Sequence, residues 1–245
     1  MPFIIDPLYL VIAGIGFVLS AATQMWLMSS FKKWSQVPNS LNMTGAQVGK
    51  YLLANSSLAK VGGKPQFGGA DGKMPGEVRL ERVGGTLTDH YDPRAHTVRM
   101  SQPVADTPSI VAMAVVAHEL GHVQQYEEGS GLIVMRNFLI PALRFSPTLA
   151  YALIMAGFVF QAVNLIWLGI LFFGVTVLFS VLTLPVEFDA SRRGLKLLEE
   201  AGMLRTENDR KGSKQMLTAA ASTYVAAATT SVLQLLYYIS LARRS

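Results

Sequence analysis

The sequence lacks cysteine entirely and is poor in charged residues. Because none of its 245 residues is a cysteine, disulfide bonds and thiolate metal sites are excluded, and a metal ion has only His, Asp and Glu side chains to bind it. Charged residues make up 15% of the chain, against about 25% in an ordinary soluble domain. Hydrophobic residues make up 51%. This composition indicates a membrane protein.

The chain also lacks a basic run with interleaved aromatic residues, although its net charge is +5. Its Lys and Arg residues are scattered, with short pairs such as Lys32 with Lys33 and Arg192 with Arg193. A nucleic-acid partner is therefore not expected. The lipid bilayer is the expected partner, because pairs of this kind are typical of residues that orient membrane helices.

The first uncharged run covers residues 7–31. Twenty apolar residues in a helix rise about 30 Å, which is the thickness of the hydrocarbon core. A cleaved signal peptide is the alternative. However, the first five residues contain no Lys or Arg, and Lys32 and Lys33 come after the run. The pattern therefore predicts an uncleaved transmembrane helix.

The second uncharged run, 145–186, contains 42 residues. As a helix it would extend about 63 Å, enough for two crossings and a turn near 161–164. It predicts a transmembrane hairpin with spans near 147–160 and 164–185. The third run, 215–242, predicts a fourth span whose small residues allow close helix packing. An amphipathic helix lying on the bundle is the alternative for this last run.

The distribution of Lys and Arg predicts the orientation in the cell membrane. Of 21 such residues, 12 lie in 32–144, seven in 187–214 and two at the end of the chain. With four spans the first two groups share a side, and loops rich in Lys and Arg face the cytoplasm. Both polar segments are therefore predicted to be cytoplasmic. Arg243 and Arg244 would then lie on the opposite side, against the rule.

Two of the four histidines lie four residues apart in the stretch AHELGHVQQ, residues 117–125. On a helix, His118 and His122 share one face and can both reach a single ion. Glu119 is rotated from them by about 100°, which suits contact with a water on that ion better than ligation. This is the division of roles in the HExxH motif of zinc proteases. Gly121 leaves the face open to a packing partner.

A catalytic zinc site needs a third protein ligand and an open position for water. His90, His96, Asp189 and Glu187 are the candidates. Glu187 is favoured because it is the first charged residue after the predicted hairpin, which returns the chain to the side of the membrane that carries the HExxH helix. The alternative is an interfacial Glu187 paired with the arginines that follow it.

Three segments carry a family resemblance: AHELGHVQQ, LTDHYDPR at 87–94 and LPVEFDASRRG at 184–194. They resemble the YugP-type neutral zinc metallopeptidases of bacterial membranes, over nearly the whole chain. The order of motifs also resembles the wider gluzincin group, including the HtpX heat-shock type. The resemblance implies a zinc endopeptidase with His118, His122 and Glu187 as Zn²⁺ ligands and Glu119 as general base. Ser191 departs from the HtpX-like pattern, which has Asp there.

The expected fold is a mainly α membrane protein with about four transmembrane helices and a cytoplasmic α+β zinc-protease subdomain. That subdomain would contain a small β-hairpin or sheet and the HExxH helix. Five segments are predicted: transmembrane helix 1–31, protease subdomain 32–144, transmembrane hairpin 145–186, a cytoplasmic helix 187–214 with the third ligand, and a C-terminal transmembrane helix and tail 215–245. Within 32–144 the elements are a helix at 45–55 capped by Thr44, a glycine-rich loop at 61–76, two or three short strands in 78–101, and a helix from Thr107 and Pro108 to about residue 128.

The remaining polar residues leave alternatives open. His90 or Tyr91 would stabilise the oxyanion or line an edge that pairs with substrate, or else DHYDP is a turn whose aspartates bond backbone amides. Arg192 and Arg193 are oxyanion candidates or interfacial anchors. His96 is expected to be an ordinary strand residue, and Gln124 and Gln125 receive no role.

The expected substrate is a protein or peptide, with membrane proteins suggested by proximity. A catalytically idle zinc-binding membrane scaffold or adaptor, and a hydrolase of non-peptide bonds, are the alternatives. The intact Glu119 favours hydrolysis, because a purely structural zinc site needs no base.

Overall fold

The computed structural model describes residues 6–60 and 78–244, so the predicted loop at 61–76 lies outside the described residues. The chain is mostly helical, with one small mixed sheet, and the predicted mainly α membrane fold with a small β part is confirmed. The helices are α1 Pro7–Ser35, α2 Gly45–Asn55, α3 Gln102–Asp106, α4 Ile110–Glu127, α5 Gly131–Leu143, α6 Ser146–Val159, α7 Val163–Glu200 and α8 Glu207–Ala242, and a 3-10 turn covers Ser57–Lys60.

Three of these helices, α1, α7 and α8, are long and apolar enough to cross a membrane. Helices α5 and α6 pass the same test only as a pair, which is bent by 50°. The first arm of the predicted hairpin, near 147–160, corresponds to α6, which has 14 residues and would rise about 21 Å, less than the hydrocarbon core. Arg144 lies in the break before it, and Pro141 lies inside α5. The described chain therefore has three candidate spans, or four if the bent pair is one span.

The sheet has three strands, β1 Arg79–Val83, β2 His90–Asp92 and β3 Thr97–Ser101, in the order β1-β3-β2. Strand β3 pairs in parallel with β1 and antiparallel with β2. Its side chains are mostly buried, whereas those of β1 and β2 are mostly exposed or half-buried. The predicted strands are confirmed, with the buried one in the centre.

Contacts between residues divide the chain into two compact units, which we call the helical unit and the site unit. The helical unit comprises the residues up to Met25, Val134–Pro185 and Ser222 onward, and the site unit comprises Trp26–Ile133 and Val186–Ala221. Helices α1, α7 and α8 contribute to both. The division into five segments stays a prediction.

The helical unit packs around aromatic and branched side chains, among them Ile154, Phe173, Tyr237 and Tyr238. Large apolar side chains such as Phe17, at 75% exposure, face outward. A lipid-facing helix requires apolar side chains on its outer face, because the hydrocarbon core contains no water that could hydrogen-bond polar side chains.

The core of the site unit surrounds α4, of whose 18 residues fourteen are buried. Helix α2 packs against it and starts as predicted at Gly45. The Thr44 side chain accepts a bond from the Gln47 backbone amide, and the Gln47 side chain accepts one from the Thr44 backbone. This reciprocal capping satisfies two amides that have no partner within the helix. Helix α4 starts two residues later than expected, with Ser109 as its cap.

Candidate metal centre

The HExxH residues lie in the last three turns of α4. His122 and Glu119 are buried, and His118 is half-buried. The Ser109 side chain accepts a hydrogen bond from the Ala112 amide and so fixes where the helix begins. His118 and His122 stand one turn apart with ring centroids separated by 4.8 Å. The helix thus presents both imidazoles on one face, as their spacing predicts.

Helix α7 approaches this face closely, and glycines make the approach possible. A Cβ atom added at Gly121 would lie 2.3 Å from the Ala190 carbonyl oxygen, and one added at Gly194 would lie 2.7 Å from the Ala117 carbonyl oxygen. Each helix therefore places a glycine against the backbone of the other. This packing brings Glu187, which is 2% exposed, to the two histidines.

The three side chains place their donor atoms as a metal ion requires. The Glu187 Oε2 atom lies 3.4 Å from Nε2 of His118 and 3.6 Å from Nε2 of His122, and one donor atom from each residue lies within 4.8 Å of the others. Two ligand atoms about 2.1 Å from a tetrahedral zinc ion are about 3.4 Å apart. Two imidazoles and one carboxylate also form a donor set that zinc enzymes use. The residues fit zinc in both spacing and chemistry.

The other nitrogen of each imidazole is also engaged. Nδ1 of His122 lies 3.0 Å from Oε1 of Gln125, and Nδ1 of His118 lies 3.2 Å from the hydroxyl of Ser191. Ser191 thus reaches one histidine of the cluster, although it lacks the carboxylate that the HtpX-like pattern has there. With Nδ1 held in this way, Nε2 of both rings is directed toward Glu187.

Asp189 lies outside the three-residue group and binds other partners. Its carboxylate accepts hydrogen bonds from Nε2 of Gln125 at 2.9 Å, from Nε of Arg193 at 2.6 Å and from Arg192. The two arginines that were weighed as partners of Glu187 therefore pair with Asp189. Arg193 also binds Glu128, just after the end of α4, at 2.6 Å.

Glu119 is buried beside the metal-binding face, and its charge acts on His122. Burial alone would lower the pKa of His122. Its hydrogen bond with Glu187 and the charges of Glu119 and Glu187 outweigh burial and leave that pKa raised above the ordinary histidine value. The two carboxylates beside this imidazole therefore favour a positive charge at this position.

The other two histidines are engaged elsewhere. His90 is exposed, with Nδ1 at 2.8 Å from the Thr88 carbonyl oxygen. His96 is buried between the Tyr91 hydroxyl, 2.8 Å from its Nδ1, and Glu127, whose Oε1 lies 3.4 Å from its Nε2. Neither belongs to the group that His118 and His122 form with Glu187. The oxyanion role of His90 stays a prediction.

Comparison with known proteins agrees with this geometry. A family model described as "Putative neutral zinc metallopeptidase" matches residues 9–69 and 71–243. The chain belongs to this family. The Bacillus subtilis (strain 168) protein named "Putative membrane protease YugP" is 38% identical over 232 residues, which are 95% of this chain and 94% of that protein. No solved structure matches the chain. The predicted resemblance is confirmed, and membership of a zinc metallopeptidase family agrees with zinc as the ion for the His, His and Glu cluster.

Gln125 is the residue of this family member that sequence reasoning passed over. Its side chain is 1% exposed and contacts His122, Val186 and Asp189. One signal was present in the sequence: Gln125 lies three residues after His122, so both share one face of the helix. A polar side chain on a ligand face, in a helix that is otherwise apolar, needs a buried partner.

Proposed function

We propose that the protein is an integral-membrane zinc endopeptidase that hydrolyses protein or peptide substrates. The observation that carries this proposal is the convergence of His118, His122 and Glu187 beside the buried carboxylate of Glu119. A structural zinc site is closed by four protein ligands, whereas a catalytic site has three and keeps one position for water. Three ligands with an adjacent base support hydrolysis over an idle scaffold.

Each residue has a defined task in this proposal. His118, His122 and Glu187 hold the zinc ion through Nε2, Nε2 and the carboxylate. When bound, the ion polarises the scissile carbonyl and lowers the pKa of water toward about 7. The Glu119 carboxylate accepts a proton from the attacking water and then donates it to the leaving amine nitrogen as the C–N bond breaks. Glu119 thus ends the cycle ionised, as it began.

Removal of one ligand tests the ligand set. In the full-length protein, His118→Ala is expected to weaken zinc binding by more than about 100-fold, since even outer partners of ligands contribute 10- to 100-fold. Cleavage of casein should be lost with the metal. Zinc per chain by elemental analysis and casein cleavage are the measurements. His90→Ala is the matched control for zinc content, because it removes an exposed histidine outside the cluster.

Wild-type protein treated with a zinc chelator should lose cleavage and recover it when zinc is restored. Wild-type zinc content in His118→Ala protein would overturn the ligand assignment. If the zinc-loaded wild type cleaves neither casein nor membrane proteins, the scaffold becomes the better description.

His90→Ala also tests the oxyanion prediction, because loss of one such donor costs about 10²- to 10³-fold in kcat while zinc stays bound.

We also propose that the active site faces the cytoplasm, on the ground that 19 of 21 Lys and Arg residues lie in the two polar segments. The absence of cysteine makes this testable with single introduced thiols. Lys211→Cys should react with a membrane-impermeant maleimide only in opened cells, whereas Gln161→Cys, between α6 and α7, should react in intact cells with the outer membrane permeabilised. The reverse labelling pattern would place the site outside. Cytoplasmic segments of membrane proteins are the substrates that such a site reaches most readily.

A further inference from the structure

Gln125 occupies a position in which every polar atom of its side chain is engaged. Its Oε1 lies 3.0 Å from Nδ1 of His122, and its Nε2 lies 2.9 Å from the Val186 carbonyl oxygen and 2.9 Å from Oδ2 of Asp189. The side chain is 1% exposed, so water does not compete for these bonds. Its three partners belong to two different helices, α4 and α7.

The surroundings allow only one orientation of the Gln125 amide. A backbone carbonyl and a carboxylate are both acceptors, so the group between them must be the NH₂, which has two donors. Reversal of the amide would set Oε1 against both acceptors in a buried site, at a cost comparable to two lost hydrogen bonds. Oε1 therefore faces His122. Because an amide oxygen can only accept, Nδ1 of His122 must carry the proton.

This orientation decides which nitrogen of His122 is free to bind metal. A neutral imidazole has one N–H and one lone pair. With the proton on Nδ1, the lone pair is on Nε2, the atom that faces Glu187. We infer that Gln125 is a positioning residue of the metal centre that selects the metal-binding tautomer of His122, and that Asp189 selects the orientation of Gln125. This inference rests on the proposed zinc site.

Asp189 is suited to its part because both of its carboxylate oxygens also accept hydrogen bonds from arginines, Oδ2 from Arg193 and Oδ1 from Arg192. Arg193 binds it at 2.6 Å and also binds Glu128 at 2.6 Å, and Arg192 supplies a further contact. Two guanidinium groups donate to this carboxylate, so its oxygens act as acceptors and the Gln125 amide must present its NH₂ to it. The order of contacts is thus Arg193, Asp189, Gln125 and His122.

The second ligand histidine is held in a less selective way. Ser191 contacts Nδ1 of His118 at 3.2 Å, but a hydroxyl rotates and can either donate or accept. Ser191 therefore accommodates both tautomers of His118, whereas Gln125 accommodates one tautomer of His122. The two contacts are consequently expected to differ in their effect on zinc affinity, with the larger effect at Gln125.

The test measures the zinc dissociation constant of the full-length protein by competition with a chromophoric chelator. Gln125→Leu is expected to weaken zinc binding by about 10- to 100-fold, the range for partners of ligand histidines. Ser191→Ala should change it by less than Gln125→Leu does. The matched control is Gln124→Leu, which changes the half-buried neighbour; Gln124 makes no side-chain hydrogen bond with the described residues. Zinc affinity of Gln124→Leu should equal that of the wild type.

A second pair of variants keeps the volume of the side chain. Gln125→Glu sets a carboxylate against Asp189 and the Val186 carbonyl oxygen, and this repulsion should displace the side chain from His122 and weaken zinc binding. Adding Asp189→Asn restores one of the two donor-to-acceptor contacts, the one between residues 125 and 189, so the double variant should bind zinc more tightly than Gln125→Glu alone. A double variant that binds zinc no more tightly than Gln125→Glu would contradict the inference. Additive effects of the two substitutions on the free energy of zinc binding would also contradict it.

The tautomer itself can be read by ¹⁵N NMR, since the chain contains four histidines. In metal-free, ¹⁵N-histidine-labelled protein at a pH where the ring is neutral, His122 should carry its proton on Nδ1, and in Gln125→Leu the other tautomer should appear. Suppose that the wild-type protein binds zinc at the cluster and that Gln125→Leu binds zinc equally tightly with the same His122 tautomer. The inference about Gln125 then fails, while the proposed zinc site stands. If the wild type binds no zinc there, the proposed function fails first.

Discussion

Glu119→Gln protein should bind zinc as tightly as the wild type and cleave its substrate about 10²- to 10⁴-fold more slowly, which is the usual contribution of a general base. Glutamine has the size and shape of glutamate, so the buried position beside His122 stays filled. Its amide cannot accept the proton of the attacking water at neutral pH. The substitution is therefore expected to remove one chemical step and to leave His118, His122 and Glu187 in place.

The measurement is kcat/KM for casein or a peptide, with zinc per chain determined on the same sample. Glu207→Gln, in the exposed first turn of α8, is the matched control and should retain wild-type cleavage. If Glu119→Gln cleaves at the wild-type rate with zinc bound, another group is the base. If it loses zinc, Glu119 acts on the ion itself and not on the water alone.

The second large effect is expected at Gly121, where α4 and α7 are closest. In Gly121→Ala the new Cβ atom would lie 2.3 Å from the carbonyl oxygen of Ala190. Backbone atoms cannot move aside as a flexible side chain can, so the two helices must separate. Overpacking of this kind lowers the free energy of unfolding by about 1–3 kcal/mol, and occasionally by more.

The same separation should disturb the metal centre, because Glu187 lies one turn before Ala190 on α7. A displacement of about 1 Å can lower catalysis by about 10²-fold, and we expect a loss of that order in kcat/KM together with weaker zinc binding. Gly131→Ala is the control, since a Cβ atom there meets nothing within 4 Å. Chemical unfolding and zinc titration are the measurements. Wild-type stability and zinc affinity in Gly121→Ala would be incompatible with the close helix crossing.

The parts of the fold that could be predicted are those that depend on local patterns. Long uncharged runs predicted the candidate spans, and the capping residue Thr44 predicted the start of α2 correctly. Helix α5 was not predicted, and the break between α5 and α6 falls at Arg144, just before the uncharged run from which the hairpin was predicted. Helix α7 also continues to Glu200, through Pro185 and well beyond the predicted end of the span at 185.

The metal centre likewise has one part that local patterns predict and one part that depends on tertiary packing. The spacing of His118 and His122 places both imidazoles on one helix face wherever that helix lies, so this pair was determined by the amino-acid sequence itself. The sequence favoured Glu187 as the third ligand and left Asp189 as an alternative. In the structure Asp189 binds Gln125 and two arginines, whereas Glu187 lies at the two histidines. Only the packing of α4 on α7 decides which carboxylate meets the imidazoles.

By itself, then, the sequence determined the long apolar helices α1, α7 and α8 and the HExxH pair, because helix periodicity and hydrophobic length act between near neighbours along the chain. The tertiary structure decided the role of Gln125, whose partners Val186 and Asp189 lie 61 and 64 residues away. Hydrogen bonds over such separations depend on how closely two helices approach. Here the Gly121 and Gly194 contacts permit that approach. No local sequence pattern predicts which side chains it brings together.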